Sequence, residues 1–144
     1  MNIRIQRITP NDVALFDNIA PEVYDEPVQP DRLEAYLAQP TNRLLLAIEE
    51  TPDGDLVVGQ CAAVLHLHPD KVTELYIDEL GTASTHRRRG IGRRLTREMI
   101  AWGKELGCGE GWLGTELDNV PARSLYETLW DEGEKIVMYD FDIE

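Results

Sequence analysis

Lysine is nearly missing from this chain: 3 of its 14 basic residues are lysines, set against 27 Asp plus Glu in 144 residues, for a formal charge of −13. Such a balance opposes the phosphate contacts that dominate nucleic-acid binding, so nucleic acid is disfavoured as a partner. Cysteine is almost as scarce. Cys61 and Cys108 are the two present; they fit no CxxC or zinc spacing and read as reduced thiols. No apolar run approaches the roughly 18 to 20 residues that span a bilayer, so no membrane partner is expected. The start, Met1-Asn2-Ile3-Arg4-Ile5, alternates polar and apolar where a signal peptide would not. The expected location is the cytosol. Repeats and low-complexity segments are lacking too, and 144 residues is near the usual size of one domain, so residues 1–144 are expected to form a single domain. The acidity has two readings, a solvated surface that favours solubility or an attraction for a cationic substrate.

What is present is an alternating order of elements. Residues 2–7 alternate like a strand, and Thr9-Pro10-Asn11-Asp12 supplies cap chemistry for a helix through Val13, Leu15 and Phe16. A short helix over 32–38 ends before Pro40. Residues 43–48 read as a buried strand, Asp53-Gly54 as a hairpin turn, and 56–67 as the returning antiparallel strand. A further strand covers 73–82. A helix over 90–106 places Ile91, Leu95, Met99, Trp102 and Leu106 on one face, with Gly107 beyond its end. Residues 112–116 read as a strand, 119–130 as a helix, and 135–143 as a last strand.

Between the strand at 73–82 and the long helix lies Thr85-His86-Arg87-Arg88-Arg89-Gly90-Ile91-Gly92-Arg93-Arg94-Leu95. Five of the eleven arginines (Arg87, Arg88, Arg89, Arg93 and Arg94) fall here, and Arg97 follows two residues on. Positive charge at a helix start opposes the macrodipole and is a poor choice unless an anion binds there. The unpaired NH groups of the first helical turn favour an anion as well, and Gly90 and Gly92 let the backbone approach one.

Two motifs resemble the GCN5-related N-acetyltransferases. Arg87-x-x-Gly90-x-Gly92 is similar to their acetyl-CoA signature Q/R-x-x-G-x-G/A, and Asn119-x-x-Ala122-x-x-Leu125-Tyr126-Glu127 is similar to their later segment N-x-x-A-x-x-L-Y-E. Both occur in the expected order, inside a matching order of elements over nearly the whole chain. The resemblance implies an α/β (α+β) fold. Its central mixed, mostly antiparallel sheet would have six to seven strands, splayed between the fourth and fifth and flanked by about four helices. It also implies acetyl-CoA in the V. Leu80, Gly81 and Thr82 would pair with its pantetheine arm, and the diphosphate would lie on Arg87, Arg88, Arg89, Gly90, Ile91, Gly92 and Arg93, with Asn119, Ala122 and Tyr126 alongside. Unpaired strand edges need such partners.

Acetyl transfer by direct attack requires a base to free the amine and a donor to the departing thiolate. The resemblance puts Tyr126 at the donor position; a core tyrosine on an apolar helical stripe is the alternative. Asp78 and Glu79, on the strand before the turn, are the candidate bases, and alternation places them on opposite faces. Within the family, Glu74-Leu75-Tyr76-Ile77-Asp78-Glu79-Leu80, His86-Arg87-Arg88 and Met138-Tyr139-Asp140-Phe141-Asp142-Ile143 look like the aminoglycoside 3-N-acetyltransferases. That likeness favours Glu79 as the base and assigns Asp142 to the acceptor. The 22–37 segment, with Tyr24, Asp25 and Glu26, is expected to form part of the acceptor wall. Glu116, expected at that wall as well, and Asp118 are further candidates for the base, behind Asp78 and Glu79, with an N-cap role favoured for Asp118. Two departures stand out: Trp130 occupies the place of a usual glycine, and Asp78 replaces a tyrosine of the aminoglycoside enzymes.

His66 and His68 share one face at a strand end, but the sequence places no third ligand beside them; they are read as surface residues, and no metal is expected. His86 reads either as a phosphate contact or as a turn residue without function. Trp102 and Trp112 read as core. The expected activity is acetylation of a small cationic amine, an aminoglycoside first. Another amine (polyamine, amino acid, protein N-terminus or lysine) and a non-catalytic acetyl-CoA-binding sensor are the alternatives. Dimerisation is common in such folds, and Trp130 or the terminal strand offers a place for it.

Overall fold

The computed structural model describes residues 2–144, which fall into two compact units, one up to residue 114 and one over 115–144. In the first, five strands form one sheet in sequential order: β1 (Ile3–Arg7), β2 (Asn42–Thr51), β3 (Gly54–His66), β4 (Glu74–Thr82) and β5 (Glu110–Trp112). The first three pairings are antiparallel and β4–β5 is parallel. The β2–β3 hairpin turns at Gly54, whose φ of 114° suits glycine. There the Thr51 hydroxyl donates to the Gly54 carbonyl at 2.6 Å. The apolar run from Leu44 to Ile48 is buried throughout, as a central strand covered on both faces should be.

Helix α1 (Pro30–Leu37) and α2 (Ile91–Glu105) are the α-helices of this unit. Ile91, Leu95 and Met99, spaced by four, form the buried stripe of α2. Two glycines let it lie close to the sheet: a Cβ on Gly59 would stand 3.0 Å from Ile91 and 3.1 Å from Leu95, and one on Gly103 would stand 2.8 Å from Leu75. Truncating a side chain such as Leu95, fully buried here, costs about 2–5 kcal/mol.

Several expectations are corrected. The sheet has five strands, fewer than six to seven, and β5 ends at Trp112, which leaves Glu116 outside any strand. The segment from Pro10 to Asp17 is a 3-10 helix, because Thr9 and Asp12 close a capping box while Asp12 itself leaves helical geometry. Trp112 is not core: it is 44% exposed and stacks on Tyr76, ring centroids 4.0 Å apart.

In the second unit, α3 (Val120–Tyr126) is shorter than the expected 119–130 helix. The expected last strand over 135–143 does not form. Strand propensity alone cannot hold a strand without a pairing partner, and Ile136, Val137, Met138, Tyr139, Phe141 and Ile143 stand exposed. No helix of the described residues is long and apolar enough to cross a membrane.

Candidate active site

The basic turn has a backbone suited to an anion. Arg88 and Gly90 both have positive φ, 63° and 76°, while Arg87 (φ −66°) and the helical Ile91 do not. Such alternation turns successive NH groups toward one side and makes an anion-binding concavity. Gly90 caps α2 without a side-chain hydrogen bond, and a Cβ there would meet nothing within 4 Å, so the approach is open. Arg94 N–H bonds back to the Gly90 carbonyl at 3.0 Å; the NH groups of Ile91, Gly92 and Arg93 before it have no carbonyl of their own helix to meet. The arginines are not equivalent. Arg87 pairs with Glu22, Nη2 to Oε2 3.4 Å, and Arg94 donates to the Ile3 carbonyl at 3.3 Å. Arg88 is exposed, and Arg93 is half-buried with its Nε unpartnered. His86 turns inward, its Nε2 3.2 Å from Glu49 Oε2 and its Nδ1 2.7 Å from Thr85 Oγ1. It is a structural residue of the turn.

The parallel pairing of β4 with β5 stops at Tyr76 and Trp112. Among the described residues, 77–82 of β4 therefore have no strand partner on that side, the opening expected between the fourth and fifth strands. Leu80, Gly81 and Thr82 lie along it, half-buried. An open strand edge running to a concave ring of NH groups suits a ligand with amides at one end and a diphosphate at the other, so the residues present fit acetyl-CoA.

Asp78 and Glu79 lie at a β-bulge. Ala62 pairs with Glu79 and Ala63 with Ile77, which leaves Asp78 as an extra residue. The bulge breaks the strict alternation expected for these two carboxylates, and both act on the Tyr36 phenol. Burial is the main cause that raises both carboxyls above their ordinary range; for Glu79 the neighbours Asp78 and Asp25 add to it. The two side chains keep solvent-exposed surface, so surrounding protein removes only part of their hydration. Burial also raises the Tyr24 and Tyr36 phenols, reinforced by Glu79 at Tyr24 and by Asp78 and Glu79 at Tyr36. Tyr24 and Asp25 thus lie near Glu79. Cys61, buried beneath them, has its thiol pushed up to about 12 and is inert.

Gln60 was missed by sequence reasoning, and Tyr36 and Glu22 lie in the 22–37 segment expected at the acceptor wall but had no role of their own there. Gln60 is fully buried; its Nε2 donates to the Val23 carbonyl at 3.4 Å and its Oε1 has no partner. A polar side chain within the apolar run Val57-Val58-Gly59-Gln60-Cys61-Ala62-Ala63 was a readable signal. Tyr36 places a buried, unpartnered hydroxyl near the carboxylates, and nothing in its helix pattern pointed there. Glu22, at φ 71°, ties the loop before Tyr24 to Arg87.

Glu26 lines a shallow depression with Pro27, Gln29, Asp31 and Arg32. In the second unit, Asn119 acts locally. Its side chain accepts the Ala122 N–H at 3.2 Å as the cap of α3, the role expected of Asp118. Tyr126 is half-buried, its ring 6.3 Å from that of Trp130. Glu116 and Asp142 are exposed and lie in irregular segments.

Residues 13–129 match the model of the Acetyltransferase (GNAT) family. N-alpha-acetyltransferase 30 of Xenopus laevis is 37% identical over 76 residues, 53% of this chain and 28% of that protein. Aminoglycoside N(6')-acetyltransferase type 1 of Acinetobacter haemolyticus is 29% identical over 70 residues, 48% of each. The chain thus spans about half or less of the curated relatives it matches. Two solved structures share its fold. An aminoglycoside acetyltransferase from an uncultured soil metagenomic sample has a TM-score of 0.80 at 24% identity, with 100% of both chains covered. AAC(6')-Iy in complex with a bisubstrate analog has a TM-score of 0.77 at 17% identity, with 99% of this chain and 100% of that one covered. Where a position is named for these aminoglycoside enzymes it is 6′, in place of the 3-N type that the strand and turn motifs resemble. With its motifs, its forked sheet and the match over residues 13–129, the chain belongs to the GNAT acetyltransferase family.

Proposed function

We propose that the protein transfers an acetyl group from acetyl-CoA to a primary amine of a small cationic substrate by direct attack, with an aminoglycoside as the leading acceptor. The observation that carries this reading is the sequence of two opposite surfaces along β4. The carboxylates of Asp78, Glu79 and Asp25 gather at its bulge, and the basic, positive-φ turn follows its end. One surface suits a cation and the other suits a diphosphate.

Acetyl-CoA supplies the acetyl thioester. Arg87, Arg88 and the NH groups at the start of α2 hold its diphosphate by charge-assisted hydrogen bonds, and residues 80–82 hold its amide arm. Glu79, its carboxyl raised toward neutrality by burial and by Asp78 and Asp25, accepts a proton from the acceptor ammonium. Asp25 and Asp78 attract and orient the cation. The departing thiolate takes up a proton, the donor role that the family resemblance gives to Tyr126. Glu26 adds negative charge to the acceptor wall; Glu116 and Asp142 are assigned to it by the family resemblance alone. The cytosol, where acetyl-CoA is abundant, is the expected setting.

A thiol-release assay with acetyl-CoA and a panel of amines tests the reading. Turnover on aminoglycosides supports it. Turnover confined to other amines removes the aminoglycoside assignment, and acetyl-CoA binding without turnover on any amine would make the protein a sensor. Acetylation of a protein N-terminus is a second reading, favoured by the 37% identity to N-alpha-acetyltransferase 30; peptide acceptors in the same panel separate the two.

A further inference from the structure

At the end of β4 remote from the basic turn, three ligating side chains meet. His66 closes β3 and pairs in register with Glu74, the first residue of β4. His68 follows two residues on, at the start of the 67–73 connection. One ligand atom from each of His66, His68 and Glu74 lies within 4.8 Å of the others. The His68 Nε2 is in contact with Glu74 Oε1, and the two imidazoles face each other with centroids 4.3 Å apart. The His66 ring nitrogens have no hydrogen-bond partner among the described residues, although Glu74 is within reach.

We propose that His66, His68 and Glu74 form a binding site for a late first-row divalent cation, with Zn2+ the ion it fits best. Two imidazoles and one carboxylate are a frequent three-ligand zinc set, and this softer nitrogen-rich donor set disfavours Mg2+ and Ca2+, which prefer oxygen. Ligand bonds of roughly 2.0–2.1 Å put tetrahedral ligand atoms about 3.3 Å apart, so side-chain rotation of an ångström or so closes the set with no movement of backbone. One carboxylate between two imidazoles leaves ring nitrogens unmatched, whereas a shared cation engages all three side chains. His66 is exposed while His68 and Glu74 are half-buried, so an entry path exists and water completes the coordination.

The position gives the site a structural role. Glu74 is the residue at which β4 pairs with Glu110 of β5, in the closed base of the fork. It lies five residues from Glu79, about 16 Å along an extended strand, too far for the cation to act on the acceptor amine. The cation clamps the 67–73 connection to the paired ends of β3 and β4. It binds the folded chain and not the unfolded one, and so raises thermal stability.

The test is a titration of the metal-free full chain with Co2+, followed by competition with Zn2+. The expected result is one equivalent of Co2+ bound with visible d–d absorption, displaced by Zn2+, and a higher Tm with Zn2+. The exposed His66→Ala should weaken Zn2+ by at least about tenfold, the lower end of what loss of even an outer partner costs. Glu74→Gln should do the same. His66→Ala should keep the metal-free Tm, and both variants should keep the affinity for coenzyme A. Cys108 is common to all three proteins, so its own metal affinity cancels. Absence of stoichiometric Co2+ binding, or Zn2+ affinity unchanged in both variants, overturns the site while leaving the acetyltransferase reading untouched.

Discussion

Gly81 lies so close to Val23 that a Cβ on it would stand 2.2 Å from the Val23 carbonyl oxygen. That carbonyl also accepts from Gln60, so the loop leading to Tyr24 and Asp25 is seated directly on β4. A backbone atom cannot rotate aside as a side-chain tip can. Gly81→Ala should therefore displace the loop and cost about 1–3 kcal/mol, the range of overpacking at a tight contact. Urea denaturation measures it, and an unchanged midpoint would show that the loop is not seated there.

The motifs that carry the family were legible because they are local. A phosphate-type turn needs glycine, basic side chains and a helix start within a few residues, and Gly90 shows its positive φ through its identity. Arg88 shows no such sign, since its φ of 63° is imposed by the turn around it. The Asp78 bulge was hidden for a related reason: it arises from how β4 registers with β3, and pairing register is not written in one strand. The same holds for Glu74 beside His66, eight residues away in sequence and opposite in register. At 135–143 the apolar pattern was present, but a strand also needs a neighbour, and pattern does not supply one.

On the proposed reading, Glu79→Gln should abolish most of the turnover while leaving affinity for coenzyme A near that of the parent, because that reading gives the carboxylate to the acceptor amine and the cofactor to the turn and the strand edge. As base, Glu79 works only when ionised. Its raised carboxyl places the acidic limb of the kcat/KM profile above the ordinary glutamate range, and turnover falls as pH drops through that limb. Steady-state kinetics across pH measures both features; full activity of the variant removes Glu79 from the mechanism.

Asp78 and Glu79 also set a pH dependence of stability. Both carboxyls are raised in the folded chain, so their contribution is full below the ordinary carboxylate range and lost as pH rises through the raised values. The double variant Asp78→Asn, Glu79→Gln should then be more stable than the parent at neutral pH, with the difference closing on acidification. Asp55 and Glu105 act in a separate window. Hydrogen bonds from Arg4 and Arg7 lower those two carboxyls, so their contribution is present above the ordinary range and lost as pH falls through the lowered values. Urea midpoints from about pH 3 to about pH 8 bracket the ordinary carboxylate range and decide; a gap that widens on acidification contradicts the assignment.

Gly90→Ala meets no atom within 4 Å, so its cost is conformational alone. Holding an alanine at a φ of 76° costs about 1–2 kcal/mol, and the start of α2 can evade that cost only by flattening the concave turn. Coenzyme A affinity should fall with stability. Gly90→Asn should recover part of both, because asparagine tolerates the left-handed region. Calorimetric binding and thermal melts of the two variants give the order; an alanine variant that binds as tightly as the parent would show that the turn does not hold the diphosphate.

Gln60 is predicted to act through Glu79 as a positioning residue. Its amide nitrogen is bonded to the Val23 carbonyl and lies close enough to the Glu79 carboxylate to oppose the rise that burial, Asp78 and Asp25 produce. Gln60→Met keeps the volume of this fully buried side chain and deletes the amide. Its Oε1 has no partner to lose, so the stability cost is that of one long hydrogen bond, about 1 kcal/mol. The effect on chemistry follows from the charge: without the amide, the Glu79 carboxylate is less favoured and its carboxyl rises further. The acidic limb of kcat/KM should move to higher pH, with the pH-independent plateau nearly kept. A purely structural Gln60 would lower the plateau or the Tm and leave the limb where it was, so the pH profile of the variant separates the two roles.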